Sequence, residues 1–105
     1  MLKINLEFRK GVLFIRLNGS LNNANDLDNI NSLVSDIGLK YIVFNIDNLK
    51  SIDVNGINWI LKYNDKLINN NGKLLLCEND DILSNQLFKN KIPNIKNEIQ
   101  AFDLI

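Results

Sequence analysis

Residues 41–57 read YIVFNIDNLKSIDVNGI. The first six form a β-branched, mostly apolar run with little alternation, which is typical of a strand covered on both faces. Asp53 precedes the point at which apolar residues take up helical spacing, beginning with Ile57. The segment therefore predicts a central strand, a short loop and the start of a helix.

Upstream of this segment, two short apolar stretches flank the residues Arg9-Lys10-Gly11. Residues 2–8 alternate apolar and polar side chains, and residues 12–17 are mostly apolar. This pattern predicts a β-hairpin. We expect the turn Asn18-Gly19-Ser20 to end the second strand.

The remaining elements alternate between helix and strand. Helical spacing is found between Ala24 and Ile37, between Ile57 and Ile68, and again over residues 82–88. Gly38 and the run 69–72 are expected to end the first two helices. Strands are predicted at 73–78 and 94–96, with a short final helix at 98–105. The sequence thus predicts one α/β domain, residues 1–105, with a mixed central sheet, an N-terminal hairpin and three to four helices packed on it.

Composition narrows the functional classes. Twelve basic and twelve acidic residues give a formal net charge of zero, with no basic cluster suited to nucleic acid. The longest apolar stretches are about four residues, which does not favour a signal peptide or direct membrane insertion. The lone Cys77 lies in an apolar run and is expected to be a core residue. We therefore expect a cytoplasmic protein.

Three segments in order resemble the STAS domain family, and most closely the bacterial anti-sigma factor antagonists, including the sporulation type. Residues 41–57 resemble its central strand followed by Asp-Ser-Ser-Gly, which here reads Asp53-Val54-Asn55-Gly56. Residues 12–22, VLFIRLNGSLN, resemble its second strand and Gly-Glu-Leu-Asp turn. Residues 72–77, GKLLLC, resemble its later strand.

The resemblance implies a regulator of transcription that binds an anti-sigma factor, a serine kinase, and thereby releases a sigma factor. In the family, phosphorylation of the second Ser of Asp-Ser-Ser-Gly prevents this binding. Asn55 stands at that position and has no hydroxyl, so the phosphorylation site is degenerate. Asn22 also replaces the Asp of the family's turn. The alternative is a constitutively bound, non-phosphorylated STAS subunit of a stress-signalling or transport complex, and a homodimer remains open.

Without the family, the same residues favour a binding role over catalysis. Asp53 is well placed to cap the second helix, and Gly56 suits close packing at its start. The chain has no His and no phosphate-binding Gly-rich loop, so we expect no enzyme activity, no metal site and no cofactor. Asp47, which follows a strand, could suggest a phospho-receiver domain, but the acid pair that would hold Mg²⁺ is missing, and a turn residue is the preferred interpretation.

The second helix is predicted to have one core face and one binding face. With Ile57 as zero, residues 60, 61, 67 and 68 fall within about 80° of it, whereas Asn55, Trp59, Lys62 and Lys66 fall at about 140° to 200°. Trp59 either anchors a partner or folds against a neighbouring element, and Asn64 falls on the core face. The predicted partner-binding residues are Asn22, Asn23, Asn25, Asn55, Gly56, Trp59, Lys62 and Lys66.

Overall fold

A computed structural model of the chain describes residues 2–21, 27–28, 38–77 and 92–105. The strands are β1 Lys3–Arg9, β2 Val12–Leu21, β3 Tyr41–Ile52, β4 Lys73–Cys77 and β5 Asn94–Ile95. The helix α1 spans Val54–Asn69, and a 3-10 turn, Glu98–Gln100, leads into the short helix α2, Ala101–Leu104. The predicted helix at 82–88, and all of the predicted helix at 24–37 except residues 27–28, lie outside the described residues. The described part of the chain contains two α-helices, where three to four were expected for the whole chain.

The strands form one five-stranded mixed sheet in the order β1-β2-β3-β4-β5. The hairpin pair β1 and β2 is antiparallel, whereas each later neighbouring pair is parallel. The predicted hairpin and the central position of β3 are confirmed. The hairpin turn consists of two residues with positive φ, Lys10 at 53° and Gly11 at 84°. This is the geometry of tight turns that match the natural twist of the strands.

Two predicted turns are wrong, because both belong to strands. Asn18-Gly19-Ser20 lies inside β2, and Asp47 lies inside β3, where its N–H donates to the Asn45 Oδ1 at 3.0 Å. The two strands stay paired through Leu21 and Ile52 by shifting register twice. Polar and glycine residues at such bulges resemble a turn when read locally.

The sheet carries a hydrophobic core on each face. The larger core lies between the sheet and α1, and includes Ile15, Phe44 and Ile60, each 0% exposed. On the opposite face, Phe14 and Val43 pack beneath the C-terminal segment through Ala101. Cys77 is buried in this second core. A strand covered on both faces explains why residues 41–46 show no alternation.

Candidate docking site on helix α1

The first turn of α1 is fixed to the end of the sheet by Asp53. This N-cap residue has an extended backbone, and its Oδ1 accepts a hydrogen bond from the Gly56 N–H at 2.8 Å. Its own N–H donates to the Leu21 carbonyl at 3.1 Å. The carboxylate thus satisfies a free helix donor and lies at the positive end of the helix dipole. As a result, the first turn of α1 has a defined position beside the last residue of β2.

Gly56 occupies the closest approach between α1 and the sheet. It is buried, and a Cβ added there would lie 3.0 Å from the side chains of both Ile52 and Leu21. A larger residue would force the side chains of Ile52 and Leu21, or α1 itself, to shift. Gly56 is one of the predicted partner-binding residues, but in this structure it is buried and permits close packing.

The outward side of α1 begins with Asn55, which is exposed on the first turn. Lys62 and Lys66 are also exposed, whereas Trp59 is partly buried. Their spacing of four, three and four residues places these side chains along one stripe of the helix. We call Asn55, Trp59, Lys62 and Lys66 the α1 stripe.

Trp59 bridges the α1 stripe and the core. Its ring meets Phe44 edge-on, with centroids 6.1 Å apart, and stacks on Tyr63 at 4.8 Å with an interplanar angle of 18°. Trp59 therefore packs against a neighbouring element, as one of the two alternatives holds, while the residue keeps some exposed surface. Its role as an anchor for a partner stays a prediction. A tryptophan held in place by two aromatic neighbours loses little conformational freedom when a partner covers it.

The buried face of α1 is rotated from the predicted one. Ile57, Ile60, Asn64 and Leu67 are buried as expected, but Ile68 is 54% exposed, and its assignment to the core is wrong. Burial of Gly56 and Tyr63 moves the centre of the buried face toward Ile60, by about 45° on the helical wheel. This rotation brings Trp59 to the edge of the core.

Two neighbouring cavities lie along this side of α1. One, of about 450 Å³, is lined among the described residues by Trp59, Lys62, Tyr63, Asp65, Lys66 and Asn69. The second, of about 400 Å³, lies between α1 and Gly38-Leu39-Lys40. Tyr63 and Lys66 contribute to the lining of both, so these cavities lie next to each other beside the α1 stripe.

Tyr63 is the residue of this site that the sequence interpretation missed. Its hydroxyl is buried and makes no hydrogen bond within the described part of the chain, and burial raises its pKa to about 12. The Lys66 Nζ lies 5.8 Å from the centre of its ring. A signal was available, because Tyr63 follows Trp59 by four residues and helical neighbours at that spacing touch.

A second polar cluster lies on the opposite face of the sheet. Arg16 donates to both carboxylate oxygens of Glu98, at 2.7 and 2.8 Å, and also to Glu7 at 2.8 Å. Asn45 donates to the same Glu98 carboxylate at 2.8 Å. Hydrogen bonds from Arg16 lower the pKa of Glu98; burial opposes this shift, and the hydrogen bond from Asn45 adds to it. The hydrogen bonds that Arg16 donates to Glu98 and Glu7 raise the pKa of Arg16. We call Arg16, Glu98, Glu7 and Asn45 the Arg16 cluster.

Asn22, Asn23 and Asn25 lie outside the described residues, so their place beside α1 stays a prediction. Within residues 2–21, 27–28, 38–77 and 92–105, no group of three potential metal ligands occurs. No helix in these same ranges combines the length and the apolar character needed to cross a membrane.

Comparison with known proteins gives a consistent result. The sequence profile of the STAS domain matches residues 3–98. The unphosphorylated anti-sigma factor antagonist SpoIIAA superimposes with a TM-score of 0.82 at 20% identity, with 97% of this chain and 96% of that one covered. The phosphorylated form of the Bacillus cell fate determinant SpoIIAA gives 0.73 at 19% identity, with 97% and 98% covered.

A putative anti-sigma factor antagonist from Thermotoga maritima gives a TM-score of 0.81 at 16% identity, with 97% of this chain and 93% of that one covered. These structures have the same mixed-sheet fold as the chain described here. Since the family profile spans nearly all of the sequence, the chain belongs to the STAS domain family.

Proposed function

We propose that this domain is a non-enzymatic regulator that binds an anti-sigma factor, or a related ATPase-like protein, through the α1 stripe. Asn22, Asn23 and Asn25 are proposed to contribute from the neighbouring segment. The observation that carries the proposal is the exposed, uncharged Asn55 at the start of a stripe that continues into the Trp59–Tyr63 stack. Transcription control and a cytoplasmic location belong to the same proposal.

The chemistry of the α1 stripe supports a protein partner. A rigid aromatic pair offers a large contact area at low entropic cost, and the hollow beside it can receive a partner side chain. Lys62 and Lys66 flank the aromatic pair, with Asp65 the acidic side chain beside them in the lining of the larger cavity. The complementary surface is therefore proposed to be acidic near the lysines and neutral opposite Asn55.

Binding to a purified serine-kinase anti-sigma factor, chosen by gene neighbourhood, tests the proposal. Asn55→Glu places a charge that must lose water against a neutral surface, and we expect affinity to fall by about 5- to 150-fold, equal to about 1 to 3 kcal/mol. Asn94→Glu is the matched control, because Asn94 is also an exposed asparagine but lies on β5. Trp59→Ala should weaken binding by at least a similar factor. Unchanged affinity in both α1 variants would exclude this surface.

The alternative role, a permanently bound STAS subunit of a stress-signalling or transport complex, is supported by the absence of a hydroxyl at positions 54 and 55. Incubation with ATP and the anti-sigma kinase should leave the mass of the wild-type chain unchanged. Asn55→Ser supplies an acceptor at the same place, and we expect it alone to gain one phosphate. Stoichiometric phosphate on wild-type Ser51 would instead indicate a displaced regulatory site.

A non-catalytic role is supported by the positions of the reactive groups. Asp53 is engaged in capping Gly56, and Cys77 is buried in the second core. The sequence also has no His, the side chain that most often serves as the general base for a nucleophile. Turnover that persists through purification and disappears in Asp53→Asn, with the fold intact, would contradict this part of the proposal.

A further inference from the structure

Strand β1 is an edge strand with an unusual outer surface. It pairs with β2 on one side, and no described strand pairs with its other side. Ile4, Leu6 and Phe8 are 37%, 44% and 60% exposed, although their neighbours on β2 belong to the larger core. Natural edge strands usually avoid this combination of free backbone groups and apolar side chains, because it promotes pairing with another chain.

The hairpin turn determines which backbone groups are free. A two-residue turn makes Arg9 and Val12 a hydrogen-bonded pair. Hydrogen-bonded pairs alternate along an antiparallel ladder, so the odd-numbered residues of β1 direct their N–H and C=O groups toward β2. The residues between them turn the same groups outward. The free donors and acceptors of β1 are therefore those of the exposed apolar residues, Ile4, Leu6 and Phe8.

The charges of β1 distinguish among the antiparallel registers that a second copy could adopt. Centring the pair on Leu6 places Lys3 opposite Arg9, and centring it on Glu7 places two carboxylates face to face. Centring on Asn5 instead places Lys3 of each copy opposite Glu7 of the other. Opposite charges across a strand pair stabilise it, whereas like charges destabilise it.

The register centred on Asn5 also matches the apolar residues. Ile4 of one copy faces Leu6 of the other, and Leu2 faces Phe8, all on the helix side of the sheet. Ile4 and Leu6 are the residues with outward backbone groups, so each such pair exchanges two hydrogen bonds. Asn5 itself becomes a non-hydrogen-bonded pair at the symmetry axis.

We propose that β1 pairs antiparallel with β1 of a second copy of this chain, centred on Asn5, and joins two five-stranded sheets into one. A pair of short strands covers much less surface than a standard permanent interface, so the dimer is of the weak, concentration-dependent class. This proposal does not depend on the α1 stripe.

Disulfide trapping tests the register directly. At the symmetry axis the two Asn5 Cα atoms lie about 4.5 Å apart, within the range a disulfide can span. Asn5→Cys should therefore cross-link rapidly under mild oxidation. Lys3→Cys is the control, because its two copies lie about 14 Å apart in this register, beyond reach of a disulfide. Equal cross-linking of the two variants would overturn the Asn5-centred register.

Sedimentation analysis over a concentration series tests the interface. Leu6→Lys should raise the dimer dissociation constant at least about tenfold, whereas Ile68→Lys, a change at a comparably exposed apolar residue on α1, should not. Leu6→Pro removes an outward N–H while leaving the ladder to β2 intact, and should have the same effect as Leu6→Lys. A wild-type chain that stays monomeric at millimolar concentration would overturn the proposal.

Charge exchange provides a third, independent test. Lys3→Glu and Glu7→Lys each create two like-charge pairs in their own homodimers, so each variant alone should dimerise less than wild type. When mixed, they form a heterodimer in which both contacts between position 3 of one copy and position 7 of the other are again complementary. We expect the mixture to regain dimer, with circular dichroism showing that both variants are folded. A mixture no more dimeric than its components would contradict the Lys3–Glu7 pairing.

Discussion

The two faces of the sheet are closed by different means. On the helix side, α1 buries a continuous apolar surface, and the fully buried Phe44 meets the edge of Trp59. On the opposite face a much shorter segment covers the sheet, with Phe102 tilted against Phe14 at 5.8 Å. There the Arg16 cluster joins Glu98 to the sheet by charged hydrogen bonds.

This difference indicates two kinds of stability in one small domain. The helix-side face depends on apolar volume, which neither salt nor modest pH change removes. The second face depends more on ionised groups, whose contribution responds to protonation and ionic strength. Mutations on the two faces should therefore differ in their size and in their sensitivity to solution conditions.

Phe44→Ala should have the largest effect. The side chain is 0% exposed at the centre of the larger core, and we expect the free energy of unfolding to fall by about 3 to 5 kcal/mol. Urea denaturation measures it. Phe102→Ala is the counterpart on the other face and should cost less, because Phe102 is only partly buried. Equal losses would show that the two faces contribute alike.

Arg16→Met should have the next largest effect. It keeps much of the side-chain length but leaves the partly buried Glu98 carboxylate without its main donor, at a cost of about 1 to 3 kcal/mol near neutral pH. The double variant with Glu98→Gln should recover part of this loss, since no unpaired charge remains. A double-mutant cycle by urea denaturation measures the coupling, and purely additive losses would argue against it.

Asp53→Ala tests how much the N-cap of α1 contributes to stability on the helix side of the sheet, apart from the apolar core. Loss of the cap leaves the Gly56 N–H without its acceptor, and we expect a cost of about 1 kcal/mol. Asp53→Asn keeps an acceptor oxygen and should retain most of the stability. If both variants unfold at the wild-type urea concentration, the cap makes no net contribution.

The smallest effect expected is on the pH dependence of the second face. Hydrogen bonds from Arg16 hold the pKa of Glu98 below its ordinary value of 4.5 in the folded chain, so the stabilisation by Glu98 is complete above the unfolded pKa. It is lost as the pH falls from about 4.5 through the lower folded pKa. Thermal unfolding of the wild type and Glu98→Gln over this acid range should converge as the pH falls. Parallel curves would show that Glu98 does not contribute this dependence.

Local patterns predicted the elements of the fold but not all of their ends. The hairpin, the first half of β3 and the limits of α1 follow from alternation, β-branched runs and capping residues, all of which act over a few residues. The short loop predicted after residue 46 is wrong, because β3 continues to Ile52. Asn18-Gly19-Ser20 and Asp47 looked like turns because their place in strands depends on the pairing of β2 with β3. That pairing is a tertiary contact, which local propensity does not contain.

The candidate site shows the same division. The α1 stripe could be placed from helical spacing and the cap at Asp53 from its residue type. The rotation that buries Tyr63 and exposes Ile68 depends instead on how α1 packs against the sheet. The Arg16 cluster was not predicted, because Arg16 and Glu98 are 82 positions apart in the sequence. A single sequence contains no periodic signal for such a contact.

The two-residue turn at Lys10-Gly11 also has a consequence for the order of folding. The hairpin it closes involves only neighbouring residues, and such hairpins form within about 1 to 10 μs. Pairing β2 with β3, by contrast, requires the chain to close over residues 22–40, and parallel partners of this kind associate more slowly. We expect the β1–β2 hairpin to form early. The free edge of β2 is then available to pair with β3, the central strand of the sheet.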